Sequence, residues 1–132
     1  MLSAKALGEW AELVFMQEAR LRGFHVAKPF GDTARYDVLL ESHGRTQRIQ
    51  VKCVSRPFRS GYKVLAAHGS ARKTPYRPRD VDFIAAFIVP LRLWYIIPVA
   101  QLRGRTSLWL FPRSRRARTS PFREAWHKFC AR

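Results

Sequence analysis

The chain has 132 residues, of which 47% are hydrophobic, so it is long enough for one domain with an ordinary core and too apolar to be disordered. Its 25 Lys and Arg against 9 Asp and Glu give a net charge of +16, which predicts a polyanionic partner, most simply nucleic acid. Two cysteines without paired spacing exclude a disulfide scaffold and favour a reducing, cytoplasmic setting, and no apolar run reaches the ~18–20 residues that span a bilayer, so no membrane partner is expected.

The first predicted element is an amphipathic helix over residues 3–22, which Gly23 would end. Its apolar positions recur with a period near that of a helix, at Leu7, Ala11, Val14, Phe15 and Leu21. Glu9 and Glu12 are three residues apart and therefore share one side of this helix. A solvated helix face and a metal site both remain open for these acids, although the scarcity of carboxylates favours the metal site. A short strand is predicted over residues 24–26.

The centre of the chain predicts a pair of strands. After a loop over residues 28–34, the run 35–40 is typical of a strand with Asp37 at its start and apolar residues behind it. Residues 41–44 are predicted to turn, and residues 46–54 to form the strand that pairs back.

Three side chains are expected to meet at one end of this pair. Gln50 and Lys52 are two residues apart, so both leave the same face of their strand, while Ile49 and Val51 leave the other. Asp37 on the neighbouring strand would lie close to them. An acid able to bind a metal, a neutral oxygen ligand and an ammonium group together suit phosphodiester hydrolysis.

This arrangement resembles the PD-(D/E)XK nuclease superfamily, with Asp37 and Gln50–Val51–Lys52 in its two-part motif. It is most similar to the small branch that contains archaeal-type Holliday junction resolvases and group I intron-encoded homing endonucleases. The resemblance runs from about Leu7 to Val99. It implies an α/β, restriction-endonuclease-like core, in which an N-terminal helix and short helices pack around a central mixed β-sheet.

The resemblance also implies a metal site and its chemistry. Mg²⁺, with Mn²⁺ as the alternative, would be held by Glu12, Asp37, the Gln50 side-chain oxygen and the backbone carbonyl of Val51, with Glu9 as a possible additional acid. Glu12, Asp37, Gln50 and Lys52 would be the catalytic residues. Gln50 departs from the family pattern, which usually has Glu or Asp there, and its neutral amide should weaken metal affinity.

A basic stretch follows the catalytic strand. Between residues 56 and 79 there are seven cations and no carboxylate, with Tyr62 and Tyr76 among them, a composition suited to phosphate contact and base stacking. A solvated cationic face is the alternative. Thr33 is placed where resolvase-like relatives carry a serine that contacts the DNA backbone. The residues expected to bind nucleic acid are Thr33, Arg35, Arg56, Arg59, Lys63, Arg72, Lys73 and Arg77.

Two apolar strands are predicted next, over residues 81–89 and 93–97, and strands this apolar are covered on both faces. Asp80 and Asp82 at the start of the first strand are expected to begin the strand or to pair with arginine. Residues 99–102 predict a helical turn, and residues 108–111 an edge strand.

The character of the chain changes after Pro112. Residues 1–112 are expected to form the nuclease-like domain, and residues 113–132 a basic C-terminal extension with a short amphipathic helix that Ser120 would cap. The apolar stripe of that helix consists of Phe122, Ala125, Trp126 and Phe129. It would either fold back on the core or meet a second subunit.

The sequence therefore favours a metal-dependent DNA endonuclease of the homing or junction-resolving type, acting as a homodimer or higher homo-oligomer on double-stranded DNA, with branched DNA as an alternative substrate. The first alternative is a non-catalytic nucleic-acid-binding protein that keeps the nuclease fold. The second is a basic RNA-binding protein of the ribosomal or packaging kind.

Overall fold

The computed structural model describes residues 1–130, and it begins with a single long helix, α1, over Ala4–Leu21. The Ser3 side chain caps the helix by accepting a hydrogen bond from the Ala6 backbone N–H at 3.2 Å. Gly23 ends it with a φ of +91°, a conformation that glycine adopts without steric cost. The predicted N-terminal helix is confirmed. None of the helices in this part of the chain is long and apolar enough to cross a membrane.

Nine strands follow the helix within residues 1–130. In chain order they are β1 His25–Ala27, β2 Val38–Ser42, β3 Arg45–Val54, β4 Tyr62–Leu65, β5 Ala67–His68, β6 Thr74–Pro75, β7 Phe83–Ile88, β8 Leu93–Pro98 and β9 Ser107–Leu110. Five of them form the central sheet in the order β1-β2-β3-β7-β8, in which only the β3–β7 pair is parallel. β4 pairs with β9, and β5 pairs with β6, each as a separate two-stranded antiparallel ribbon. The predicted mixed α/β architecture is confirmed.

The central sheet separates two hydrophobic clusters. On one face α1 packs against the odd-numbered positions of β3, with Phe15 fully buried between the rings of Trp94, Trp126 and Phe129 at centroid distances of 5.4–6.2 Å. The β4–β9 ribbon and the chain around it cover the other face. Every residue of β7 is buried because this strand lies between the two clusters, as the continuous apolar run predicts.

The central hairpin is longer in strand and shorter in turn than expected. β2 begins at Val38, so Asp37 precedes the strand and does not belong to it. Glu41 and Ser42 were expected in the turn but pair with Thr46 and Arg45, which leaves a two-residue connection at His43 and Gly44 with positive φ at both. Positive φ at both central residues is the backbone that the strand twist favours in such tight turns.

The basic stretch contains three short strands, because β4 ends at Leu65, β5 begins at Ala67 and β6 follows. β5 and β6 pair, so residues 67–75 form a small hairpin. The predicted turn over residues 99–102 is confirmed as a 3₁₀ turn at Val99–Gln101. The last edge strand is also confirmed, although it pairs with β4 and not with the central sheet.

The amphipathic helix expected in the C-terminal segment is wrong. The chain forms two 3₁₀ turns, Ser120–Phe122 and Trp126–Cys130, because Glu124 between them has a φ of +46° that no α-helix contains. Thr119 precedes the first turn, and no side chain caps that turn.

The apolar residues of that segment fold back on the core, one of the two expected outcomes. Ala125, Trp126 and Phe129 are buried in the cluster beneath α1. The Glu124 carboxylate accepts a hydrogen bond from the Trp94 backbone N–H at 2.7 Å, which ties the segment to β8. A division at residue 112 stays a prediction, and the last two residues of the range 113–132 lie outside the described part of the chain.

Candidate active site

Asp37 is fixed at the entry to β2 by two hydrogen bonds to β3. Its backbone N–H donates to the Ile49 carbonyl at 2.8 Å, and its carboxylate accepts from the Val51 N–H at 2.9 Å. Both bonds go to the part of β3 that carries Gln50 and Lys52. The hairpin therefore holds the acid beside these two residues, as the sequence predicts.

Gln50 and Lys52 leave the face of β3 opposite to α1. Their neighbours Ile49 and Val51 are buried in the cluster beneath the helix, and strand alternation sends the even-numbered side chains the other way. Gln50 and Lys52 are both half-buried. The Lys52 ammonium is close enough to Asp37 for the two charges to influence each other's pKa.

The pKa of Asp37 is raised to about 6, and its surroundings explain the shift. Burial is the largest cause, and the hydrogen bond from Val51 acts in the opposite direction. The nearby Glu12 carboxylate raises the pKa further, whereas the ammonium groups of Lys52 and Lys28 lower it. The two carboxylates are therefore close enough to repel each other, and a bound cation would reduce that repulsion.

Glu12 reaches this volume from α1. Its side chain is only 18% exposed and forms an ion pair with the Lys28 ammonium. Glu9, the possible additional acid, is exposed on the same helix and is not among the charges that act on Asp37. The structure thus places Glu12 beside Asp37 and leaves Glu9 at the surface. Lys28 was not anticipated, because a single lysine in a polar loop carries no pattern.

Lys52 lies over an aromatic ring. Its ammonium is 5.3 Å from the centroid of Tyr76, within the range of a cation–π contact. The pKa of Lys52 is lowered because burial disfavours the charged form and because Lys73 is nearby, while Asp37 opposes the shift. Burial together with Asp37 raises the pKa of Tyr76 to about 12, so its phenol stays neutral at physiological pH.

The expectation that Tyr76 stacks on bases is wrong. Its side chain is only 5% exposed and packs in the cluster opposite α1, so its ring faces are covered by protein. The Tyr76 ring instead lies beneath the Lys52 ammonium, in the candidate site near Asp37. A tyrosine among cations is compatible with either role, and only its burial distinguishes them.

The donor atoms available here are oxygens. Within residues 1–130 no group of three His, Cys, Asp or Glu side chains is placed to hold a metal ion. The candidate set therefore consists of the two carboxylates of Glu12 and Asp37, completed by the Gln50 amide oxygen and the Val51 carbonyl. Such hard oxygen donors, with water in the remaining positions, fit Mg²⁺.

The residues predicted to bind nucleic acid are all exposed, but they form two groups. Around Lys52 lie Arg35, whose guanidinium is 3.2 Å from the His68 ring, and Lys73, whose ammonium donates to the Gly69 carbonyl at 2.7 Å. Thr33 precedes this group on the loop that leads to Asp37, and Arg72 and Arg77 flank Lys73 in sequence. The other group, Arg56, Arg59 and Lys63, belongs to the β4–β9 ribbon and the turn before it.

Arg48 is a structural residue of the site that sequence reasoning missed. Its guanidinium binds the Asp82 carboxylate at 3.0 Å and donates to the carbonyls of Arg79 and Pro78 at 2.6 and 3.0 Å. Burial raises the pKa of Asp82, but the Arg48 side chain and backbone N–H outweigh it and hold that pKa below its usual value. The predicted arginine pairing of Asp82 is confirmed, and it anchors the segment between Tyr76 and β7.

Comparisons with known proteins agree with this geometry. A family model described as PD-(D/E)XK endonuclease matches residues 2–129, so the match extends well beyond Val99 and into the C-terminal segment. The solved structure titled as a bacterial homing endonuclease, I-Ssp6803I, is similar over 96% of this chain and 93% of its own, with a TM-score of 0.84 and 29% sequence identity. No curated protein sequence matches the chain.

Proposed function

The chain belongs to the PD-(D/E)XK endonuclease family, and on that premise we propose that it is a divalent-metal-dependent endonuclease that hydrolyses phosphodiester bonds in double-stranded DNA. The observation that carries the proposal is the meeting of two carboxylates and one ammonium, Glu12, Asp37 and Lys52, at the end of the β2–β3 hairpin.

PD-(D/E)XK nucleases generally use divalent metals, and the oxygen donors at this site suit one. Glu12, Asp37, the Gln50 amide oxygen and the Val51 carbonyl would hold Mg²⁺, with Mn²⁺ as an alternative. When bound, the ion supplies a polarised phosphate oxygen and a more acidic water. Lys28 neutralises Glu12 in the metal-free protein through their ion pair.

Lys52 acts on the attacking water and on the phosphate. Its lowered pKa eases the release of a proton, so its amine can accept one from the water that attacks phosphorus. Its ammonium form offsets the negative charge that develops on the phosphate oxygens. Resemblance to the family implies a product with a 5′-phosphate.

Gln50 reduces the charge of the site by one relative to the usual Glu or Asp. Its amide still offers an oxygen, so the donor count is kept while the attraction for a dication falls. We expect Gln50→Glu to bind Mn²⁺ more tightly than the wild-type protein.

The DNA substrate follows from the surface charge and from the solved relative. The exposed cations Arg35 and Lys73 near Lys52, together with Arg72 and Arg77 close to Lys73 in sequence, would contact phosphates on either side of the cut. I-Ssp6803I is a homing endonuclease, which supports a long duplex site over a four-way junction. A double-strand cut needs two active sites, so we include a homodimer or higher homo-oligomer in the proposal, testable by light scattering. A cytoplasmic location stays a prediction.

The test is cleavage of plasmid, synthetic-site and branched DNA in Mg²⁺ or Mn²⁺. Asp37→Ala and Lys52→Ala should each abolish cutting. Glu41→Ala, at the turn end of the hairpin, and Lys5→Ala, at the start of α1, make the same charge changes at exposed positions and should leave it intact. Cutting that persists in both Asp37→Ala and Lys52→Ala would defeat the proposal.

A non-catalytic DNA-binding protein is the second candidate, because Gln50 leaves the donor set less charged than the family pattern. Such a protein would bind DNA tightly and lose affinity with salt, but calorimetry would show no uptake of Mn²⁺. Asp37→Ala would not change its DNA affinity.

A further inference from the structure

A second cationic surface lies on the β4–β9 ribbon. The inner face of the ribbon is apolar, with Val64, Leu108 and Leu110 buried in the cluster opposite α1. Strand alternation therefore turns Lys63 and its cross-strand partner Trp109 outward. Trp109 is only half-buried, which leaves part of a large apolar side chain in solvent.

Trp109 is the centre of an aromatic group outside the core. The Phe58 ring lies 5.7 Å from it, and the Phe111 ring lies 6.2 Å from it and within 13° of parallel. Gly61 permits this packing, because a Cβ there would be 2.6 Å from the Phe111 ring and 2.9 Å from the Leu110 carbonyl oxygen. Phe58 remains 53% exposed. Phe58 and Phe111 thus pack on Trp109, and all three side chains are at least partly exposed to solvent.

An open cleft of about 630 Å³ runs beside these rings. Arg105, Trp109, Phe111 and Arg118 are among the residues that line it. The Thr119 hydroxyl donates to the Trp109 carbonyl at 2.7 Å, so the C-terminal segment is fixed along β9 and completes the wall. None of the residues that line the cleft belongs to the site around Asp37.

The charge of this surface selects its partner. No Asp or Glu occurs between residues 42 and 79 or between residues 83 and 123. Neither Arg105 nor Arg118 forms a salt bridge with any residue in the described range 1–130. A symmetric contact between two copies would place this cationic patch against itself, which like-charge repulsion disfavours. The partner that fits is a polyanion with flat apolar groups.

We infer that this cleft binds an unpaired stretch of the DNA substrate, with at least one base out of the duplex stack, at a distance from the cut. The inference rests on the proposed function for the identity of the polymer. Aromatic faces stack on bases that have left the duplex, and arginines hold the phosphates that join those bases. The site around Asp37 cleaves the DNA, and the cleft binds the distorted or single-stranded part of the substrate.

The first experiment measures fluorescence anisotropy of a labelled single-stranded oligonucleotide and of the matching duplex, in EDTA so that no cleavage occurs. Arg105→Gln combined with Arg118→Gln should weaken single-strand binding about tenfold and lower the salt slope by roughly 1.4, since each phosphate contact contributes about 0.7. Arg113→Gln combined with Arg116→Gln is the matched control, because these exposed arginines do not line the cleft.

The second experiment separates stacking from charge. Trp109→Leu should weaken single-strand binding about tenfold, whereas Trp109→Phe keeps an aromatic face and should remain close to wild type. Melting temperatures of both variants verify the fold. The inference is overturned by equal losses from the two arginine pairs, by equal losses for duplex and single strand, or by a change of oligomeric mass in Trp109→Leu without a change in DNA affinity.

The two proposals fail separately. If the wild type cuts DNA and the cleft variants bind single strands normally, the inference about the cleft is wrong and the endonuclease proposal stands. Loss of single-strand binding in the cleft variants of a protein that cuts no DNA removes the endonuclease and keeps the cleft.

Discussion

Asp37 and Asp82 occupy similar positions at two neighbouring points of the sheet, yet their environments shift their pKa values in opposite directions. Each is a half-buried aspartate just ahead of a strand, and each accepts a backbone N–H from β3, at 2.9 and 2.7 Å. Asp82 has the Arg48 guanidinium as its partner, and its pKa is lowered. Burial raises the pKa of Asp37 to about 6, and the neighbouring Glu12 carboxylate adds to the shift. The protein itself compensates the charge of Asp82, whereas we propose that a bound cation compensates the charge of Asp37.

The largest expected effect is on cleavage. Asp37→Asn removes the negative charge of a proposed metal ligand and leaves a single amide oxygen to serve both the Val51 N–H and the metal, so we expect the cleavage rate to fall by about 10³-fold or more. Asp82→Asn should reduce it by less than about tenfold, because Asp82 acts only through the segment that Arg48 anchors. Single-turnover cleavage rates of the two variants make the comparison. Similar losses in both would remove the distinction between a functional and a structural aspartate.

Metal affinity should depend on the pH through Asp37. A proton and a dication compete for a carboxylate with a pKa of about 6, so Mn²⁺ binding should weaken about tenfold between pH 7.5 and pH 5. Calorimetry in metal-free buffers measures this dependence. An affinity that stays constant over that range would contradict the raised pKa.

Stability should show the opposite ranking of the two acids. Asp82→Asn should cost about 1 kcal/mol in the free energy of unfolding at pH 7.5, since it removes a partly exposed ion pair with good geometry. Asp37→Asn should cost nothing in EDTA, because a carboxylate with a raised pKa is better protonated than charged in the folded state. Urea unfolding measures both.

The pH dependence of stability sharpens this contrast. The contribution of Asp37 is fully present below its ordinary pKa of 3.8 and is lost as the pH rises through about 6. The contribution of Asp82 is present above 3.8 and is lost as the pH falls through its lowered folded-state pKa. Between pH 4 and 7, wild type should therefore lose stability relative to Asp37→Asn. A constant difference between the two proteins would contradict the assignment.

The smallest expected effect concerns the ring beneath Lys52. Tyr76→Phe keeps the ring and should cleave like wild type, whereas Tyr76→Leu should lower the rate about two- to fivefold through loss of the cation–π contact. The pH–rate profile distinguishes this from a general loss of structure, since only the loss of the contact moves the limb that reports Lys52. Tyr62→Leu, at a half-buried tyrosine of β4, serves as the control.

Features that depend on local sequence patterns could be predicted, whereas features that depend on partners far away in the chain could not. The alternation of β3 and the position of Asp37 before an apolar run were sufficient to predict which side chains converge, because strand geometry is local. The helical period at residues 122–129 failed because Glu124 adopts a positive φ, where its carboxylate binds the N–H of Trp94, a partner thirty residues away. The roles of Arg48 and Lys28 were not predicted for the same reason, since they depend on partners that a single sequence does not specify.

The central claim is that the Glu12 and Asp37 carboxylates lie close together and that a bound cation compensates their charges. Carboxyl-detected NMR titration of Asp37, with and without Mg²⁺, tests this claim most directly. We predict a pKa of about 6 in EDTA that falls when Mg²⁺ is added and falls in the metal-free Glu12→Gln variant as well. A pKa near the ordinary value of 3.8 that neither Mg²⁺ nor Glu12→Gln changes would contradict the account.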